Sequence, residues 1–206
     1  MRSSSTARSR PRSEPERVTL DDAARDLLFR AARSVTSFSD EAVTHEDVRE
    51  IYELAKWGPT SFNQQPLRVV VVESATALDR LVDVVSPDNR PKVAAAPLVL
   101  LLGFDVDFHE RLPTCYPGLP GLKDDLFADV EVRRESARLN AALQAAYLIL
   151  AIRSVGLAVC PMTGFDADAA TTRFFPGGTR RALMVLIVGV PDPTAAERLP
   201  RLDFDD

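Results

Sequence analysis

Residues 139–152, LNAALQAAYLILAI, are apolar nearly all round over about four helical turns. A helix that is hydrophobic on every side belongs at the centre of a structure, so the rest of the chain must be arranged around it. The pattern extends this helix over about residues 133–155, and Gly156 is placed to cap its C-terminus.

The flanking elements follow from local chemistry. Residues 20–33 predict a helix with Thr19 as N-cap and Asp21 and Asp22 where the helix dipole favours anions. Thr44 with Asp47 three residues on makes a capping-box pattern, and Val48, Ile51, Tyr52 and Ala55 recur at helical spacing up to Trp57. Gly58-Pro59 stops that helix, because proline cannot continue the ladder. Residues 67–72 read as a strand buried on both faces. Ser74 caps a short helix ending near Ser86-Pro87, and residues 97–104 form a second buried strand. Residues 105–130, with Pro113, Pro117, Gly118, Pro120 and Gly121, predict a long loop, a length that usually serves function. Residues 157–161 and 183–190 complete a sheet of four or more strands. Without regular βα alternation, the class is α+β.

Composition narrows the rest. The 206 residues, 46% hydrophobic and 27% charged, describe one globular domain that needs no disulfide or structural metal. The two cysteines, Cys115 and Cys160, and the two histidines, His45 and His109, are too far apart in sequence for a Cys/His zinc site. The longest apolar run is broken by Pro97 and falls short of the roughly 20 residues that span a bilayer. Residues 1–19 are rich in Arg and Ser and lack the apolar core of a secretory signal, so they are expected to be a disordered head before a domain at 20–206. Sparse cysteines suit a reducing cytoplasm. The net charge is -5; residues 1–20 carry five Arg against Glu14 and Glu16, or +3, which leaves the body at -8 and argues against nucleic-acid binding.

Several common catalytic devices are missing: no G-x-G-x-x-G, no G-x-x-x-x-G-K-[ST] and no G-x-S-x-G occurs. His45 falls in the first turn of a helix, a solvated position, and His109 lies in the long loop. Two segments read more as site than as core. Gly58-Pro59-Thr60-Ser61-Phe62-Asn63-Gln64-Gln65-Pro66 sets amides and hydroxyls beside a buried strand. Either this loop caps itself, or its amides meet a planar heterocycle with alternating donors and acceptors. In Cys160-Pro161-Met162-Thr163-Gly164-Phe165-Asp166, Gly164 either makes a tight turn or lets a ligand approach the backbone.

With these residues in view, the chain resembles the FMN-dependent nitroreductase family. The likeness rests on Arg33-Ser34, the stretch Gly58 to Pro66, the helix at 139–157 and Pro161 to Asp166, in the family's order and spacing over about residues 30–206. Within the family it resembles the malonic semialdehyde reductase branch, through Lys56 to Ser61, Phe108 to Pro113, Gln144 to Ile149 and Arg198 to Leu202.

The resemblance implies a three-layer fold, a mostly antiparallel sheet flanked by helices, in a homodimer with swapped tails and FMN at the interface. It implies that Arg33, Ser34 and Arg198, with Arg201 as neighbour, hold the FMN phosphate; Thr36 stands where the family usually has a further arginine. By the same carry-over Pro59, Thr60, Ser61, Asn63 and Gln65 face the isoalloxazine bound mainly by the partner. Gly164 directs its N–H toward flavin N5, flanked by Met162 and by Thr163, which stands where a glutamate is frequent. The implied activity is ping-pong oxidation of NADH or NADPH. The acceptor is malonic semialdehyde or a similar small carbonyl, with Arg111 or Arg68 on its carboxylate. A broad nitroaromatic or quinone reductase and a non-catalytic flavin binder are the alternatives. The resemblance implies no metal.

Overall fold

The computed structural model describes residues 17–192 and 198–206; the expected disordered head at 1–19 lies outside them except for Arg17, Val18 and Thr19, which are exposed. Helix α1 (Asp22–Arg25) runs on into a single wider π-helical stretch over Asp26–Arg30. Its N-cap is Asp21 rather than Thr19, because the Asp21 carboxylate accepts the N–H of Ala24 at 2.8 Å. The helix therefore starts later and ends earlier than the predicted 20–33. Helix α2 (His45–Ala55) carries the capping box its sequence announces: Thr44 takes the Asp47 N–H while the Asp47 carboxylate takes the Thr44 N–H at 2.7 Å. The Thr44 hydroxyl and the Thr44 N–H, both donating to the Asp47 carboxylate, hold it below its ordinary pKa.

Strand β1 (Leu67–Val71) leads to α3 (Ala75–Val82), capped by Ser74 as expected, and then to α4 (Arg90–Ala94), which the sequence reading left out. Strand β2 (Leu98–Asp105) is buried at every residue. The stretch expected to be a loop winds into short helical turns, including α5 (Leu112–Cys115) and α6 (Leu122–Asp125). Periodicity could not announce helices of a single turn. Helix α7 (Val130–Ser154) is the long central one, ended by Gly156 at φ +84°. Strand β3 (Ala158–Met162), helix α8 (Ala167–Phe174), capped by Asp166 and also unforeseen, and strand β4 (Arg180–Gly189) complete the chain.

The four strands form one antiparallel sheet in the order β1-β2-β4-β3. One face packs on α7 and α2 through Ile51, Leu98, Leu100, Leu102, Leu148 and Ile152, and the other on α3, α4 and α8 through Leu81, Val93, Val99, Leu101, Ala170 and Phe175. This is the three-layer α+β arrangement expected.

Two expectations needed correction. Strand β1 is at the sheet edge and half-buried, with Val69 exposed, rather than covered on both faces. Helix α7 is not covered all round either. Ala137, Ala141, Ala145 and Leu148 are buried, whereas Leu139, Leu143 and Tyr147 form an exposed apolar stripe one turn apart. No helix among the described residues is long and apolar enough to cross a membrane.

Candidate functional site

The sheet ends in an edge strand, β3, whose free side carries the first group of expected site residues. Ser34 joins that edge through a parallel bridge to Val159, and its hydroxyl lies in hydrogen-bonding contact with the buried Cys160 thiol. Burial raises the Cys160 pKa against the opposing pull of Lys92 and Ser34, so the thiol stays protonated and Lys92 is near enough to be felt. The Lys92 ammonium donates to Asn89 Oδ1 at 3.2 Å. Asn89 in turn crowds the loop after β3: a β-carbon on Gly164 would sit 2.9 Å from Asn89 Nδ2 and 2.8 Å from Ser86 Oγ. The Ser86 N–H donates to the Gly164 carbonyl at 2.9 Å, which fixes that loop against α4. Gly164 thus leaves room for the Ser86 and Asn89 side chains and does not make a left-handed turn.

Lys92, Asn89, Ser86 and Gly164 therefore adjoin one another beyond the end of β3, with Met162 buried and Thr163 exposed; the hollow there is walled by Ser86, Arg90, Thr163, Gly164, Asp166 and Arg173, whereas Ser34 lies farther back along β3, at Val159. The sequence does not mark Ser86, Asn89 or Lys92 as site residues; Ser86 stands out there only as the end of a helix. The one available signal was the spacing of Asn89 and Lys92, which places both on one face of a helical turn.

In a separate hollow near the start of β3, Arg198 donates to the carbonyls of Phe29 and Ala32, which brings it beside Arg33. Arg153, reaching from the end of α7 to the carbonyl of Leu28 at 3.2 Å, joins them. Burial and the neighbouring Arg198 charge lower the Arg153 pKa. Arg33 and Arg153 line one hollow of about 180 Å³, an arginine cluster of which sequence reading found two members and missed Arg153. Arg201 stands apart from it: among the described residues its guanidinium donates to the carbonyls of Leu199 and Pro200.

The second group sits elsewhere. Gly58 to Pro66 turns sharply, with Phe62, Asn63 and Gln65 all at positive φ (50°, 50° and 45°), a conformation costly for residues with a β-carbon. Three polar side chains of α7, one turn apart, hold it there. Ser136 exchanges hydrogen bonds with the buried Gln64 amide, Asn140 accepts the Ser61 N–H at 2.7 Å, and Gln144 accepts the Leu67 N–H at 2.9 Å. Within the loop, Thr60 Oγ1 accepts the Gln65 N–H, and the Asn63 amide donates to the Cys115 carbonyl at 2.9 Å while accepting from Gln65. Pro59, Ser61 and Asn63 are exposed. The loop thus caps itself and still presents an outer surface.

Gln64 and Gln65 also wall a cavity of about 520 Å³ together with Lys56, Arg68, Arg111, Cys115 and Arg180. Arg68 is occupied there: Nε and Nη2 donate to Asp105 Oδ2 at 3.1 and 2.9 Å, and Nη1 to the carbonyls of Gln65 and Leu67. Its geometry makes it a wall rather than a substrate clamp. Arg111 makes no hydrogen bond or ion pair among the described residues. His109 is buried with Nδ1 unpartnered; desolvation, then the Arg133 charge, lowers its pKa and keeps it neutral.

Within one chain, then, the cleft at Gly164 and the loop at Thr60 to Gln65 line different hollows. The comparisons with known proteins match the whole of this framework. A Streptomyces griseus protein provisionally named NADH dehydrogenase/NAD(P)H nitroreductase is 51% identical over 190 residues, covering 92% of this chain and 96% of its own. A Leptothrix cholodnii protein of the same name is 46% identical, with 90% and 95% covered. Among solved structures, a provisionally named nitroreductase of Bacillus subtilis superposes with a TM-score of 0.79 at 23% identity, covering 89% of this chain and 96% of that one. Another, from Exiguobacterium sibiricum and solved in complex with FMN, gives 0.76 at 19%, with 92% and 96% covered. The nitroreductase family model matches residues 29–190, and the chain belongs to the nitroreductase family.

Proposed function

We propose that this protein is an FMN-dependent NAD(P)H oxidoreductase working as a homodimer. The observation that carries the reading is the cleft at the end of β3, where Gly164 meets the side chains of Ser86 and Asn89 beside Lys92. It offers backbone, amide, hydroxyl and ammonium donors along one edge, which suits the pyrimidine edge of a flavin. The Arg33, Arg153 and Arg198 cluster, in a separate hollow at the other end of β3, supplies guanidinium forks for a phosphate. Relatives named as NAD(P)H nitroreductases and a similar fold solved with FMN support the same cofactor pair.

When bound, FMN supplies two-electron transfer from a reduced nicotinamide to an acceptor. The residues do the binding and positioning. Arg33, Ser34, Arg153 and Arg198 hold the phosphate end; Asn89, Lys92 and the Gly164 backbone orient the ring edge. Thr163 Oγ1, exposed next to Gly164, offers a hydroxyl donor to an acceptor oxygen without adding negative charge.

Because the loop at Pro59 to Gln65 does not face its own chain's cleft, a second copy would bring it there. The exposed stripe Leu139, Leu143 and Tyr147 and the exposed Trp57 give such a copy an apolar face. The tail meets its own chain through Arg198, while its Leu199, Leu202 and Phe204 are exposed. A swapped tail would cover those side chains.

For the acceptor, the finer reading is reduction of malonic semialdehyde to 3-hydroxypropionate. It is supported by the branch motifs and by the free Arg111 guanidinium, which suits a carboxylate. A broader nitroaromatic or quinone reductase is favoured by the relatives' names.

Anaerobic addition of NADPH or NADH to the FMN-loaded protein tests the enzyme reading: the flavin absorbance bleaches and returns on adding acceptor, in ping-pong kinetics. A flavin that stays oxidised would leave only a flavin-binding protein. Turnover of malonic semialdehyde against a nitroaromatic and a quinone decides the acceptor, and no turnover of the semialdehyde removes the narrower reading.

A further inference from the structure

The cavity of about 520 Å³ beside the Thr60 to Gln65 loop has a wall of one charge sign. Lys56, Arg68, Arg111 and Arg180 line it and no carboxylate does. Asp105, behind the wall, is the carboxylate that meets them, and it is shared. Its Oδ2 takes two donors of Arg68 and lies 3.8 Å from Arg180 Nε. Lys56 is paired with Glu53, on the outer surface of α2. Arg111 has no partner among the described residues, so charge is left over at Arg111 and Arg180.

Cations of one sign inside a low-dielectric concavity focus potential and draw an anion to it. Two guanidinium groups match a phosphate monoester in charge, close to two negative charges near neutral pH, and in bidentate geometry. A cavity of this volume is in the size range of nucleotide-sized ligands and would be underfilled by a three-carbon acid.

We propose that Arg111 and Arg180 form a subsite for the 2′-phosphate of the nicotinamide dinucleotide, so that the protein prefers NADPH to NADH. This rests on the NAD(P)H oxidoreductase reading, because the same loop that walls the cavity is the one assigned to the flavin of a second copy. It competes with the reading of Arg111 as an acceptor clamp, because the 2′-phosphate is on the adenosine end of the dinucleotide, whereas a three-carbon acceptor must lie at the flavin itself.

The test is calorimetric titration of the full chain, with and without FMN, with adenosine 2′,5′-bisphosphate, inorganic phosphate and malonate. Wild type, Arg111→Ala and Arg180→Ala are compared, and both side chains are on exposed residues whose loss leaves the core intact. The expected result is that the bisphosphate binds and that each substitution weakens it at least about tenfold, the loss of one charge-assisted phosphate contact. The ratio of NADPH to NADH kcat/KM falls by a similar factor in each variant. Bisphosphate affinity unchanged in both variants overturns the proposal, as does malonate binding through Arg111 where the bisphosphate does not bind. A protein that takes no FMN yet binds the bisphosphate through Arg111 keeps the subsite and loses the flavin reading. One that takes FMN and oxidises NADPH with Arg111→Ala unaffected loses the subsite alone.

Discussion

The Asn140 carboxamide oxygen, at the middle of α7, accepts the backbone N–H of Ser61 at 2.7 Å. With Ser136 on Gln64 and Gln144 on Leu67, one polar stripe of the central helix holds a loop whose backbone would otherwise relax out of three positive-φ positions. Asn140→Ala should destabilise the protein by about 1–3 kcal/mol, the cost of unpairing a buried amide contact. It should also loosen FMN, because the loop loses its shape. Urea unfolding and flavin content per chain check it; a stable variant with full flavin would mean that the loop holds itself.

Gly164 is in close contact with two polar side chains. Gly164→Ala puts a β-carbon within 3 Å of Ser86 Oγ and Asn89 Nδ2, so those side chains must turn away from their present positions. The expected outcome is a folded protein with a circular-dichroism spectrum like that of wild type and a clear loss of FMN affinity in fluorescence titration. Unchanged affinity would separate Gly164 from the flavin.

Arg68 and Asp105 form the most buried ion pair among the described residues, with side chains 20% and 10% exposed. Arg68→Ala should cost about 3 kcal/mol, because it leaves the Asp105 carboxylate buried with only the distant Arg180 charge. Arg111→Ala, whose side chain has no partner among the described residues, should cost under about 0.5 kcal/mol. Equal losses of thermal stability for the two would contradict this division into wall and ligand-facing cation.

His109 is held neutral by burial and by Arg133, with its folded pKa below the usual 6.5. Below 6.5 the unfolded chain therefore binds the proton more readily. The folded state loses stability as pH falls from 6.5 toward the lower folded value, and the penalty is absent above 6.5. His109→Gln should flatten that part of the stability curve relative to wild type, above the range near pH 4–5 where carboxylates titrate. Identical slopes in denaturant unfolding between about pH 5 and 7 would show that His109 is not the group responsible.

Leu143 is 46% exposed on the α7 stripe, between Leu139 and Tyr147. If this stripe is the face of the proposed dimer, Leu143→Arg should yield a monomer and release flavin, because a charge in an apolar interface is left unpaired. Analytical ultracentrifugation with parallel flavin absorbance reads both, and a dimer of unchanged affinity would move the interface elsewhere.

Much of the scaffold is written locally. Thr44 and Asp47, Ser74, the Gly58-Pro59 stop and Gly156 act within a few residues of themselves, so helix ends are legible where a cap or a stop works alone. Asp21 displaced Thr19 as a cap because both are good caps and only the turn geometry chooses between them. The single-turn helices α4, α5 and α6 are too short to carry a period. Val69 and Leu143 look like core in the sequence and are exposed in one chain, because apolar character names a residue that will be covered but not by what.

The candidate site divides in the same way. Gly58 to Pro66, Arg33-Ser34 and Gly164 stand out as residue types in order along the chain. Arg153, Ser86, Asn89 and Lys92 do not, since they reach the site only through the packing of α7 and α4 against β3. The sequence by itself determined the α+β class, the central helix and the two polar segments, all set by short-range propensity and patterning. Only the tertiary structure decided that Arg68 belongs to Asp105, that Arg201 stands apart from Arg33, and that the two segments line separate hollows. Those outcomes depend on distances between residues far apart in the chain, which no local pattern encodes.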